Sequence, residues 1–176
     1  RRLGEVSNPD VDLFITYGNG EFSDMEAEHI LDVVTSPVCS PAMVNRLGGM
    51  PEPQDVLRLG LLHLSDHEDW GQWFSSVGLD PGLAATGVVF SDMHLVYSAA
   101  LAGQGIAMGD VILSEDAMSS GQLVRPFEQE VRSPRAYFMA VPHAMVDKPA
   151  VEAFRSWLRA ERAQSFSLPK MQSASR

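Results

Sequence analysis

Apolar and polar positions alternate along the chain in two rhythms, a period of two in short runs and a period of three to four between them. The strongest run lies mid-chain. From Met93 to Ala102 only His94 and Ser98 are clearly polar. That pattern predicts a helix buried on nearly all sides. Ser91 or Asp92 can cap its first turn, Gly103 ends it, and Ile106–Met108 reads as a short buried strand.

Toward the N-terminus, Asp10–Tyr17 alternates Val11, Leu13 and Ile15 with Asp12, Phe14 and Thr16, and Phe14 makes both faces partly apolar. A strand covered on both sides is expected, closed by Gly18-Asn-Gly20. Met25–Val34 and Thr35–Ser40 read as two further extended runs, and Ser40-Pro41 as a helix start running to Gly48-Gly49. After Pro51 and Pro53 come a helical turn at Pro53–Leu59 and a strand at Leu61–Leu64. Ser65 and Glu68 have the spacing of a capping box. The helix it would open, Asp69–Val77, carries Trp70, Trp73, Phe74 and Val77 on one face.

Gly87–Phe90 is the next strand, Asp110 is expected to cap a helix closing at Gly121, and Leu123–Phe127 is a short extended run. Ala136–Val141 is strongly strand-like. Pro149–Ala163 is an amphipathic helix with Val151, Phe154, Trp157 and Leu158 on its apolar face. Strands alternating with helices predict an α/β fold with mostly parallel sheets. The Ser- and Gln-rich residues 164–176 are expected to form a disordered tail.

Composition narrows the functions. The 176 residues are 45% hydrophobic and 20% charged, with no apolar run of membrane-spanning length. Thirteen Lys and Arg against 23 Asp and Glu leave a formal charge of −10, which argues against this segment gripping nucleic acid by itself. Cys39 is the sole cysteine, so no internal disulfide can form. Arg1-Arg-Leu-Gly-Glu lacks an initiator Met and an apolar signal core, so the chain is expected to be a piece of a longer one.

The mid-chain stretch, written FSD…AALAGQGIAMG, resembles the effector-binding domain of LysR-type transcriptional regulators, in the branch of glycine-cleavage and beta-lactamase activators. DVDLFITYGNG is similar to that branch's strand ending in AIRYG. SPVCSPAMV, LLHLSDHEDWGQWFSSVGLD, GQLVRPF and KPAVEAFRSWLRAE resemble its other blocks, in family order from Asp10 to Glu161. The resemblance implies two Rossmann-like lobes joined by two crossover strands, like type 2 periplasmic binding proteins. Residues 1–35 and 135–163 would form lobe one and residues 36–134 lobe two, with crossovers near Val33–Ser36 and Ser133–Ala136. It further implies a small polar or anionic metabolite as effector, a homodimer or tetramer, and a cytoplasmic protein that meets DNA only through an N-terminal winged helix-turn-helix. That helix-turn-helix and lobe one's first strand and helix would precede Arg1, so part of lobe one is expected to be missing. Thr16 stands where the branch commonly has Arg.

Five residues emerge as effector contacts. Tyr17 and Gly18 end what reads as a parallel strand, and ligands of open α/β sheets gather at carboxyl strand ends. Against this, Tyr17 could be a hydrogen-bonded core-edge residue. Ser91 and Asp92 open the apolar helix, where free N–H groups and the dipole suit an anion, although plain capping needs the same residues. Asp92 would repel an anion and could receive an ammonium. His63 follows a buried strand, and the resemblance places LLH near the cleft mouth, against the alternative of a core histidine.

Other constellations carry less. Cys39 reads as a small buried hydrophobe. His63 and His67 fall on different elements, so no metal site is expected. Gly103-Gln-Gly-Ile-Ala-Met-Gly109 follows a helix, so it is not a dinucleotide fingerprint. No catalytic set stands out, and neither an enzyme nor a cofactor is expected. A type 2 solute-binding protein of a transporter is the alternative on the same scaffold.

Overall fold

The computed structural model describes residues 11–46, 48 and 52–165. The expected tail lies outside the described residues from position 166 onward. The chain divides into two compact units, Arg1–Leu31 with Arg135–Arg176 and Asp32–Pro134.

In the first unit, β1 (Phe14–Gly18) pairs antiparallel with β6 (Val131–Pro142), Phe14 opposite Ala140 and Gly18 opposite Ala136. Met139 and Val141 of β6 pack with Val151, Phe154 and Leu158 of α6 (Pro149–Ser165) and with Ile30. Ile30 belongs to β2 (Met25–Val38), a single 14-residue strand where two runs were expected. Pro37 does not break it. A proline is tolerated where the ladder does not need its N–H.

On β2 the residues Glu26, Glu28 and Ile30 share one face by strand alternation. Arg155 of α6, almost buried, reaches Glu26 at 2.7 Å. Arg159 grips Glu28 with two bonds of 2.8 and 2.7 Å. That fork holds the Glu28 carboxyl below its ordinary pKa. Trp157 departs from the expected apolar face: it is 53% exposed and touches Phe154 at the helix rim.

The second unit holds the larger core. Its part of β2 pairs antiparallel with β5 (Ile106–Asp110), and β3 (Leu61–Leu64) pairs parallel with β5 on one side and with β4 (Val88–Phe90) on the other. The sheets are therefore mixed, not mostly parallel. The elements also include α1 (Pro41–Arg46), α2 (Val56–Leu59) after a 3-10 turn, α3 (Glu68–Ser76), α4 (Met93–Leu101) and α5 (Glu115–Ser119).

Each face of this sheet has its own cluster. On one, Leu61, Ile106, Met108 and Cys39 meet Trp70, Trp73 and Phe74 of α3. The two indole N–H groups reach the carbonyls of Leu62 and Gln129, so neither is stranded by burial. On the other face, Val38, Leu62 and Ala107 meet Val96, Ala99 and Ala100 of α4. Only that stripe of α4 is buried. Leu95 is 53% and Leu101 40% exposed, so the expectation of a helix buried on nearly all sides fails. The sequence pattern showed how apolar α4 is, but not how many of its sides meet a partner.

Two predicted caps also change. Ser65 does not box with Glu68. It takes a positive φ of 65°, rare for a residue with a side chain, and Asp66 Oδ1 accepts the Glu68 N–H at 3.0 Å instead. Asp110, the last residue of β5, accepts from Ile112 and Leu113 in the turn before α5, whose own N-cap is Ser114. Gly103 ends α4 with φ 68°, the left-handed conformation expected of it.

Candidate functional site

In the second unit β3, β4 and β5 run parallel, so their carboxyl ends face one edge of the sheet. Leu64 pairs with Phe90, which sets the ends of β3 and β4 level. Their exits are Ser65-Asp66 and Ser91-Asp92, stitched together where the Ser65 N–H meets the Phe90 carbonyl at 2.8 Å. The strained φ of Ser65 turns the chain there into α3. Open α/β sheets place ligands at such an edge because helix N-termini and loop N–H groups converge there.

Ser91 and Asp92 are exposed at this edge. Asp92 caps α4, its Oδ1 accepting the His94 N–H at 2.7 Å. β5 reaches the same edge, and Asp110 at its end pairs with Thr35 of β2. Thr35 is 3% exposed, and its Oγ1 has no hydrogen-bond partner among the described residues. Nothing in the local sequence marks Thr35. Only the β2–β5 register brings it here.

His63 sits deeper than a cleft mouth would require, at 2% exposure. Its Nε2 lies 2.7 Å from the Thr86 carbonyl, which can only accept, so this nitrogen carries the proton and Nδ1 is the lone-pair nitrogen. Nδ1 is buried without a partner among the described residues, and the His67 ring stands edge-on at 4.4 Å. Burial pushes the His63 pKa down and outweighs the opposing bond to Thr86. No group of three or more metal-ligating side chains occurs among the described residues.

Tyr17 and Gly18 belong to the first unit. Tyr17 is half-buried against Tyr137, ring centroids 5.4 Å apart, and Gly18 faces the Phe22 ring. Because β1 pairs antiparallel with β6, the carboxyl-end rule for parallel strands, which had singled out these two residues, does not apply to this pairing. Thr16 is buried opposite Phe138.

Residues 1–163 match the family model described as "LysR substrate binding domain". The chain belongs to this family. The LysR chain is 29% identical over 154 residues to the glycine cleavage system transcriptional activator of Escherichia coli K12, covering 88% of this chain and 50% of that protein. It is 28% identical over 149 residues to the HTH-type transcriptional activator AmpR of Citrobacter freundii, covering 84% and 50%. It thus spans about half the length of the curated relatives it matches.

Among solved structures, the AmpR effector binding domain from Citrobacter freundii superposes with a TM-score of 0.79 at 27% identity, covering 89% of this chain and 76% of that one. The effector domain of AmpR from Pseudomonas aeruginosa gives 0.79 at 25%, covering 89% and 75%. The LysR chain has their mixed α/β, type 2 periplasmic-binding-protein-like fold. Its relatives are transcription regulators, and no catalytic family is indicated. No helix among the described residues is long and apolar enough to cross a membrane.

Proposed function

We propose that this LysR domain is the effector-binding and oligomerisation part of a cytoplasmic, DNA-binding transcription regulator that works as a homodimer or tetramer. DNA contact belongs to an N-terminal winged helix-turn-helix. The observation that carries this reading is the family match over residues 1–163, together with the half-length coverage of two curated activators. The charge of −10 agrees with it, since a segment so acidic leaves DNA to a different part of the protein.

Ser91 and Asp92 are the leading effector contacts, since both are exposed where α4 begins. His63 acts through the loop it supports: its bond to Thr86 ties the segment before β4 to β3. Occupancy regulates only if the ligand binds one arrangement of the protein better than another.

The test has two parts. Sequencing the gene upstream of the Arg1 codon should reveal a winged helix-turn-helix and a linker helix, and a secretory signal there would refute the regulator reading. A thermal-shift screen of the protein against small metabolites should then yield ligands whose effect falls in Ser91→Ala.

A further inference from the structure

We propose that Asn19 is a site of spontaneous self-modification, where the Asn19-Gly20 pair closes to a succinimide and reopens in water as aspartate and isoaspartate. The site lies in the turn between β1 and β2, and its chemistry is independent of effector binding.

Asparagine is a thermolabile residue because its own backbone can attack its side chain. Here the Gly20 nitrogen attacks Asn19 Cγ. The N–Cγ bond forms, the Cγ–Nδ2 bond breaks, and ammonia leaves with the proton of the Gly20 amide. Water then opens the ring. Opening at Cγ gives aspartate. Opening at the main-chain carbonyl carbon gives isoaspartate, in which the chain runs on through the side-chain carbon. Either route consumes one water, and the new carboxyl gives its proton to the solvent. The other two asparagines are poorly placed for this. Asn8 precedes Pro9, whose nitrogen has no proton to release. Asn45 lies in α1, where the helical backbone and the Arg46 side chain hold the next nitrogen away.

The turn supplies what the reaction needs. Asn19 is exposed, so water reaches the ring. The Gly20 N–H has no hydrogen-bond partner among the described residues, so no bond has to break before its nitrogen attacks. Asn19 Oδ1 accepts the Glu21 N–H at 3.2 Å. Negative charge gathers on that oxygen as the nitrogen adds, and a donor already points at it.

The fold also keeps the reactive neighbour in place. Gly20 has φ 86°, and a Cβ built on it would stand 2.8 Å from the Phe138 ring. Phe22 packs edge-on against the same ring, centroids 6.0 Å apart. The turn therefore demands a glycine at position 20, and a glycine is the neighbour that hinders the attack least. The product changes the turn. Asn19 Nδ2 now donates to Glu21 Oε2 at 3.2 Å, whereas a carboxylate at position 19 would face that oxygen as a like charge. Isoaspartate adds a carbon to the main chain and shifts Gly20 against Phe138.

The test is incubation of the native protein for several weeks at pH 8 in water enriched in heavy oxygen, followed by digestion and mass spectrometry of the peptide that contains residue 19. The same protein unfolded in guanidinium chloride sets the reference rate. The peptide should gain about 3 Da, one heavy oxygen and a proton in place of the amide nitrogen and its protons. It should separate into aspartate and isoaspartate forms, at a native rate within roughly tenfold of the unfolded one. The rate should fall with hydroxide as pH is lowered to 6, and Asn45 should stay intact in the native protein. Asn19→Gln keeps a carboxamide in the turn but closes a larger ring more slowly, so it should show no gain over the same period. Native Asn19 that stays intact, whatever the unfolded sample does, overturns the proposal. A gain without isoaspartate overturns the succinimide route.

Discussion

Gly87 offers the sharpest test of the geometry behind the candidate edge. It precedes β4 with φ 113°, a conformation that side-chain-bearing residues rarely adopt. A Cβ built there would stand 2.3 Å from the Leu61 carbonyl oxygen and 2.9 Å from both His63 Nε2 and Leu61 Cβ. The oxygen belongs to the backbone of a central parallel strand, so it cannot swing aside as a flexible side chain could. Two costs follow for Gly87→Ala: about 1–2 kcal/mol for the disfavoured φ and about 1–3 kcal/mol for overpacking.

The control is Gly78→Ala. Gly78 has φ 78° but nothing within 4 Å of its would-be Cβ, so it bears only the first cost. Urea unfolding followed by tryptophan fluorescence measures both. With an m-value of about 2 kcal/mol/M, a loss of roughly 2–5 kcal/mol moves the midpoint of Gly87→Ala down by about 1–2.5 M. Gly78→Ala should move by less than half as much. Because β4 leads directly into Ser91-Asp92, ligand affinity should fall in the first variant and stay in the second. Equal midpoints for the two variants would refute the close approach of Gly87 to β3.

Acid should weaken the fold through His63. Its folded pKa lies below the unfolded value of about 6.5, so its contribution is complete above that pH and is lost as pH falls through the lower, folded pKa. Between pH 7 and 5 the urea midpoint should drop more in the parent than in His63→Gln, and parallel curves would rule His63 out. Cys39 is fully buried, and desolvation pushes its thiol up to about 11. A thiol reagent at pH 8 should leave the native protein unlabelled and label it fully in denaturing urea, and rapid native labelling would contradict its burial.

Much of the local structure was legible in the residues. Asp92 and Gly103 bracket α4 as cap and stop because both signals are local: a carboxylate reaching the first turn and a residue free to take positive φ. Trp70, Trp73 and Phe74 announced the buried face of α3 through helical spacing alone. The ordered blocks from Asp10 to Glu161 also sufficed for the family and hence the fold. The candidate site was legible only in part, since Ser91 and Asp92 carry a helix-start signal whereas Thr35 carries none.

Tertiary structure decided what depends on partners distant in the chain. Period-two alternation says nothing of a strand's neighbour, so the antiparallel pairings of β1 with β6 and of β2 with β5 were not foreseeable. The uncovered Leu95 and Leu101 and the burial of His63 beside Thr86 have the same origin. Backbone conformation and helix caps are settled by interactions within a few residues. Register, burial and the meeting of Thr35 with Asp110 are settled by residues tens of positions apart, whose encounter no local pattern records.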